Sequence, residues 1–180
     1  MAEVVAAMAM THSPGLCGWF DDAPEDEQAI ARQATARMRE HLAERDVDTV
    51  VIFANDHLLN WPINNTPEYT VGVGETHTGP HEWYRGWLNL EPYHLPGRPE
   101  LARFIVNEAA RHGIAMSYLR DMQFDDNISV PTTHLNPGHR IATVPITMNC
   151  IVPPIPSPRR AYEVGQAMRQ ILADYDGDER

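Results

Sequence analysis

The most constraining stretch of the chain is residues 48–54, DTVVIFA, which is apolar and β-branched almost throughout. A run of that length and content is a strand, and its lack of polar alternation predicts a place inside a sheet covered on both faces. Upstream, residues 25–45 contain neither glycine nor proline and are rich in Ala, Arg, Glu and Gln, which predicts one long helix. Residues 4–10, VVAAMAM, supply a shorter apolar run of strand length that ends at a Ser-Pro-Gly turn over 13–15. Strand, helix and strand within about fifty residues spell a βαβ unit.

The remainder extends this alternation. Residues 58–97 read as a long irregular region holding Trp61, Trp83 and Trp87, with one short strand over 69–73. Pro99 opens a helix whose apolar positions are Leu101, Phe104, Ile105 and Ala109, stopped by Gly113. Strand material follows at 115–119 and 141–152. Ser157 and Pro158 have the form of an N-cap and a first helical residue. The helix they start carries Ala161, Val164, Met168, Ile171 and Leu172 at helical spacing. The expected fold is a single α/β domain over residues 1–180, with a mixed central sheet and helices packed on both faces.

Composition removes several function classes. A net charge of -11 argues against nucleic acid or an anionic membrane as partner. The hydrophobic fraction of 43% suffices for a core that needs no staple. Cys17 and Cys150 show neither a disulfide framework nor CxxC spacing, and neither has an obvious base neighbour. The start lacks a basic region, and residues 4–10 are too few to span a bilayer, so cytoplasm is the expected location.

Two histidines stand where α/β sheets place their chemistry. His12 follows the run over 4–10, and His57 follows the strand over 48–54 by three residues, both at carboxyl ends where ligand crevices form. Two neutral imidazoles converging there could bind iron(II) or zinc. With 9 histidines in the chain, position alone leaves open that both are ordinary loop residues.

The local sequences add to that reading. Thr-His-Ser-Pro at 11–14 and Asn-Asp-His at 55–57 resemble two signature segments of the class III extradiol ring-cleavage dioxygenases. The resemblance continues in order through Val71-Gly72-Val73-Gly74, residues 122–131 (MQFDDNISVP), residues 144–155 (VPITMNCIVPPI) and the helix over 158–172. It implies a non-haem Fe(II) enzyme that cleaves a catecholic or related ortho-hydroxylated ring with O2. It also implies metal ligands His12 and His57, with a glutamate as the third, and an oligomer of like or unlike subunits. Two histidines and one carboxylate leave open positions on the metal for both diol oxygens and O2. Asp125, Asn127, Pro131 and His134 fall on the substrate side, a plain hydrogen-bonding role being the alternative for His134.

The chain departs from the family pattern twice. Asp126, on a segment read as a loop, stands where the family has an acid/base histidine. It either takes over proton transfer, or marks a non-catalytic partner or scaffold subunit, or itself binds the metal with His12 and His57. The family's glutamate ligand has no counterpart within residues 1–180, which resemble the first two thirds of such an enzyme. A zinc hydrolase using the same histidine pair lacks a recommended nucleophile.

Other features carry blander readings. His77 and His81 are separated by Gly79-Pro80, which prevents helical presentation of a metal pair. Trp61, Trp83, Trp87 and Tyr93 either line an aromatic pocket or subunit contact, or pack the long loop. Arg159 and Arg160 begin the last helix, serving a carboxylate, a partner or solvent. Gly72 and Gly74 lack the frame of a phosphate loop.

Overall fold

The computed structural model describes residues 2–179. In chain order the elements are α1 (Gly15–Gly18), α2 (Glu25–Glu44), β1 (Thr49–Asp56), β2 (Tyr69–Gly72), β3 (Thr76–Gly79), α3 (Glu82–Leu88) and β4 (Tyr93–Pro96). They continue with α4 (Pro99–Arg111), β5 (Ser117–Leu119), α5 (Asp126–Leu135), β6 (Ala142–Asn149) and α6 (Pro158–Asp174). The main sheet has the order β1-β6-β2-β5, and a separate antiparallel pair joins β3 to β4. β1 runs parallel to β6, β6 antiparallel to β2, and β2 parallel to β5, so the sheet is mixed.

The layers follow from which side chains each element can bury. Val71 of β2 and Val144 and Ile146 of β6 face Leu101, Ala102, Ile105 and Ala109 of α4 together with Val164, Met168 and Ile171 of α6. On the other face, Ile128 of α5 packs with Phe124, Met122, Tyr93 and Leu95, against which Ala54 of β1 also rests. Helices therefore cover both faces, as the alternation of elements predicts. The start of α6 is fixed as expected: the Arg160 N–H donates to Ser157 Oγ at 3.1 Å, and Pro158 occupies the first turn.

Five local expectations are corrected. Residues 4–10 form no strand, so the βαβ unit with α2 is not made. Their start is tied instead to the C-terminal tail, where the Ala2 N–H donates to the Tyr175 carbonyl and the Glu3 N–H to the Glu179 carbonyl. A cavity of about 630 Å³, lined by residues 2–10 on one side and 49–55 on the other, separates this segment from β1. β1 is consequently an edge strand with Phe53 48% exposed, not a strand covered on both faces.

Residues 58–97 are less irregular than expected, because β2, β3, α3 and β4 all lie within them. The segment after Asp125 is a helix rather than a loop, with Pro131 inside it. In α6, Ala161 faces solvent and Ala167 takes its place on the buried stripe.

Candidate metal centre

Three elements deliver the central residues. Asp56 is the last residue of β1 and His57 the first beyond it, at the carboxyl end of the strand. Asp125 is the N-cap of α5, its Oδ1 accepting from the Asn127 N–H at 3.1 Å, and Asp126 is the first helical residue. His12 comes from the irregular segment just before α1. Sequence-distant residues meet here because α5 packs across β1.

His57 Nδ1 lies 3.0 Å from Asp126 Oδ1 and 3.2 Å from Asp125 Oδ2. Among the described residues, His57, Asp125 and Asp126 are the one set whose ligand atoms all lie within 4.8 Å of one another. His12 stands outside that set but beside it, its ring centre 5.5 Å from that of His57. Two imidazoles bound to one ion through nitrogens at about 2.1 Å have ring centres roughly 5 Å apart, so the pair is compatible with a shared ion.

The electrostatics are one-sided. Asp56, Asp125 and Asp126 are 3%, 3% and 5% exposed, and no Arg pairs with any of them among the described residues. Asp125 and Asp126 hold the His57 imidazole well above the ordinary histidine value, at about 9, the hydrogen bond from Asp125 being the largest cause. Burial, then the neighbouring charge of Asp125, raises the Asp56 carboxyl. Burial and the three carboxylates push the Tyr84 phenol up to about 12.

Several polar atoms at this spot have no protein partner. Asp56 Oδ2 and both amide atoms of Asn127 are buried without a hydrogen bond, a costly state that a bound cation or water relieves. Asn127 and His12 also line one end of the cavity beside β1. Imidazole and carboxylate donors around buried negative charge that His57 offsets only in part fit a divalent transition-metal ion.

The other expected site residues divide. Pro131 lines the same cavity as Asn127 and His12. His134 is turned away toward α1, with Nε2 3.1 Å from the Leu16 carbonyl and 3.8 Å from Cys17 Sγ. Arg160 is bound to Glu68 at 3.0 and 3.1 Å, and Arg159 to Glu163 at 3.0 Å, so neither is a free cation. His77 is buried in β3, whereas His81 caps α3 by accepting from the Trp83 N–H. Trp61 donates to Thr70 Oγ1, while Trp83 and Trp87 are exposed. Asp56 and Tyr84 join the site with no sequence signal of their own beyond the place of Asp56 beside His57 in the Asn-Asp-His segment.

The fold and this donor set define a mixed α/β sandwich with a cluster that could hold a metal ion at the carboxyl end of its edge strand. Residues 6–180 match the profile of the family described as the catalytic LigB subunit of aromatic ring-opening dioxygenase, and the chain belongs to that family. It is 30% identical over 174 residues to a 2,3-dihydroxyphenylpropionate/2,3-dihydroxicinnamic acid 1,2-dioxygenase of Photorhabdus laumondii, covering 96% of this chain and 52% of the relative. Proteins of the same description from Klebsiella pneumoniae and Dechloromonas aromatica are each 29% identical, over 91% and 88% of this chain and 49% and 48% of theirs. The chain spans about half the length of the curated relatives it matches. No described helix is long and apolar enough to cross a membrane.

Proposed function

We propose that this chain forms part of a cytoplasmic, oligomeric extradiol dioxygenase that uses non-haem iron(II), held by His12 and His57, to cleave a catecholic ring with O2. The carrying observation is the 5.5 Å approach of the two imidazoles beside buried carboxylates, in a chain of the ring-opening dioxygenase family. Bound iron(II) would supply open positions for the diol oxygens and O2, the chemistry by which a ring is opened beside the diol with both oxygen atoms inserted.

The chain's own groups prepare that site. Asp125 and Asp126 fix the orientation of His57 through its Nδ1. Asp126 occupies the position of the family's acid/base histidine, where it is the group available to exchange a proton with substrate. Asn127 and Pro131 line the adjoining cavity, and Asn127 has free amide donors and acceptors for a polar substrate group. The relatives' descriptions make 2,3-dihydroxyphenylpropionate the first diol to try.

Anaerobic iron(II) binding to wild type, His12→Ala and His57→Ala tests this reading, followed by oxygen uptake with that diol. Binding lost in both variants supports it; wild-type binding no tighter than either variant's overturns the iron assignment. Asp126 in place of histidine favours one second reading, a non-catalytic partner subunit of the same fold. That reading predicts no oxygen uptake unless a second subunit is supplied.

A further inference from the structure

The 3.0 Å contact between His57 and Asp126 admits a role for the two aspartates beyond orienting the imidazole. Ligand atoms on adjacent corners of an octahedral ion at about 2.1 Å lie roughly 3 Å apart. His57 Nδ1 meets Asp126 Oδ1 at 3.0 Å and Asp125 Oδ2 at 3.2 Å, so both imidazole–carboxylate pairs stand at that spacing, and the ligand atoms of all three residues lie within 4.8 Å of one another. We propose that Asp125 and Asp126 are themselves ligands, forming with His57 a divalent-cation site built wholly from this chain, with His12 at its margin.

Three independent observations support it. Asp56, Asp125 and Asp126 are each at least nine-tenths buried, and His57 is the cationic partner seen for Asp125 and Asp126. A buried cluster with that much negative charge is stabilised by a cation and destabilised without one. The Asn127 side chain, 3% exposed and next in sequence to Asp126, has both amide atoms unpartnered and lines the cavity that reaches His12. Finally, Asp126 stands where the resemblance predicts a histidine, so the chain carries an additional hard oxygen donor at this spot. Hard carboxylates suit iron(II), manganese(II) and magnesium better than soft thiolate-seeking ions.

The inference rests on the proposed iron site for the involvement of His57, but it names a different carboxylate source and places the ion at Nδ1, where ligation replaces the orienting hydrogen bonds and the proton-exchange role of Asp126. Cobalt(II) is the probe, because its visible absorption reports the ligand set without any turnover. Titrations compare wild type with Asp126→Asn, Asp125→Asn, His57→Ala and His12→Ala, each checked for folding by far-ultraviolet circular dichroism. Asparagine at 126 keeps an acceptor oxygen for His57, and at 125 it keeps the capping oxygen for the Asn127 N–H, so the substitutions remove charge and ligation while leaving α5 capped.

The expected result is a loss of more than about 100-fold in affinity for both asparagine variants with an altered spectrum. That loss exceeds the roughly 10- to 100-fold caused by removing an orienting partner. Asp126→Asn and Asp125→Asn binding within about tenfold of wild type with an unchanged spectrum overturns the inference. If His12→Ala and His57→Ala still abolish binding in that case, the two-histidine iron reading survives. A wild-type chain that binds no cobalt(II) or iron(II) overturns both.

Discussion

His57 and Asp126, 69 positions apart in sequence, are joined by a 3.0 Å contact that links the end of β1 to the first turn of α5. An ion held there binds only the folded chain and therefore raises its stability. At a concentration 100 times its dissociation constant the gain is about 2.7 kcal/mol. For a chain of this size that is a rise of roughly 5–10 °C in Tm. Thermal melts with and without iron(II) under nitrogen should show this shift in wild type and none in His57→Ala.

His77 makes stability depend on pH. It is 1% exposed, and both ring nitrogens are buried without partners. Burial lowers its proton affinity to about 4, from an ordinary 6.5. The unfolded chain therefore takes up the proton first as pH falls through the window between those values. Stability is fully present above pH 6.5 and declines toward pH 4, with about 2 kcal/mol lost by pH 5 from this group. The loss in urea midpoint on going from pH 7.5 to 5 should be smaller in His77→Leu than in wild type by that contribution; His134, which burial also lowers, adds to the remaining loss, and His57, raised to about 9, opposes it.

Gly97 leaves no room for a side chain. A Cβ there would lie 2.1 Å from the Gly74 carbonyl oxygen and 3.1 Å from His77 Nε2. Because the nearest obstacle is backbone, Gly97→Ala must move β4 or the loop after β2. A loss of about 1–3 kcal/mol is expected, measured as a lower urea midpoint with an unchanged slope. Gly86→Ala meets nothing within 4 Å and is the control.

Arg160 and Glu68 tie the first turn of α6 to the residue before β2. The guanidinium donates through both Nε and Nη2, at 3.0 and 3.1 Å, and the two side chains are 26% and 32% exposed. Partial solvation limits the coupling to about 0.5–1.5 kcal/mol, above a fully exposed pair because two bonds form in one plane. A double-mutant cycle of Arg160→Ala and Glu68→Ala, repeated in 1 M salt, should return that energy and show it reduced.

The parts of the fold legible in sequence are those where one local pattern decides. Residues 48–54 could be little but a strand, and α2, α4 and α6 announce themselves by composition, Pro-first starts and spacing. Residues 4–10 have strand content, but a strand requires a partner edge, and the ties to Tyr175 and Glu179 leave the gap beside β1 unfilled. α5 was hidden because Asp-Asp-Asn reads as a turn and Pro131 interrupts the helical pattern. His12 and His57 are visible from their positions after apolar runs and from the family-like segments Thr-His-Ser-Pro and Asn-Asp-His. The carboxylates around His57 were not, since their meeting depends on α5 crossing β1, a tertiary event with no local signature.

Because β6 is the one strand that pairs with β1 among the described residues, the outward backbone groups of TVVIFA remain available as a template. Pleated edges of that kind recruit further strands, from like molecules as readily as from unlike ones. Residues 2–10 line the far side of the cavity beside that rim, so the chain keeps an apolar segment of its own opposite the edge where a further strand would add.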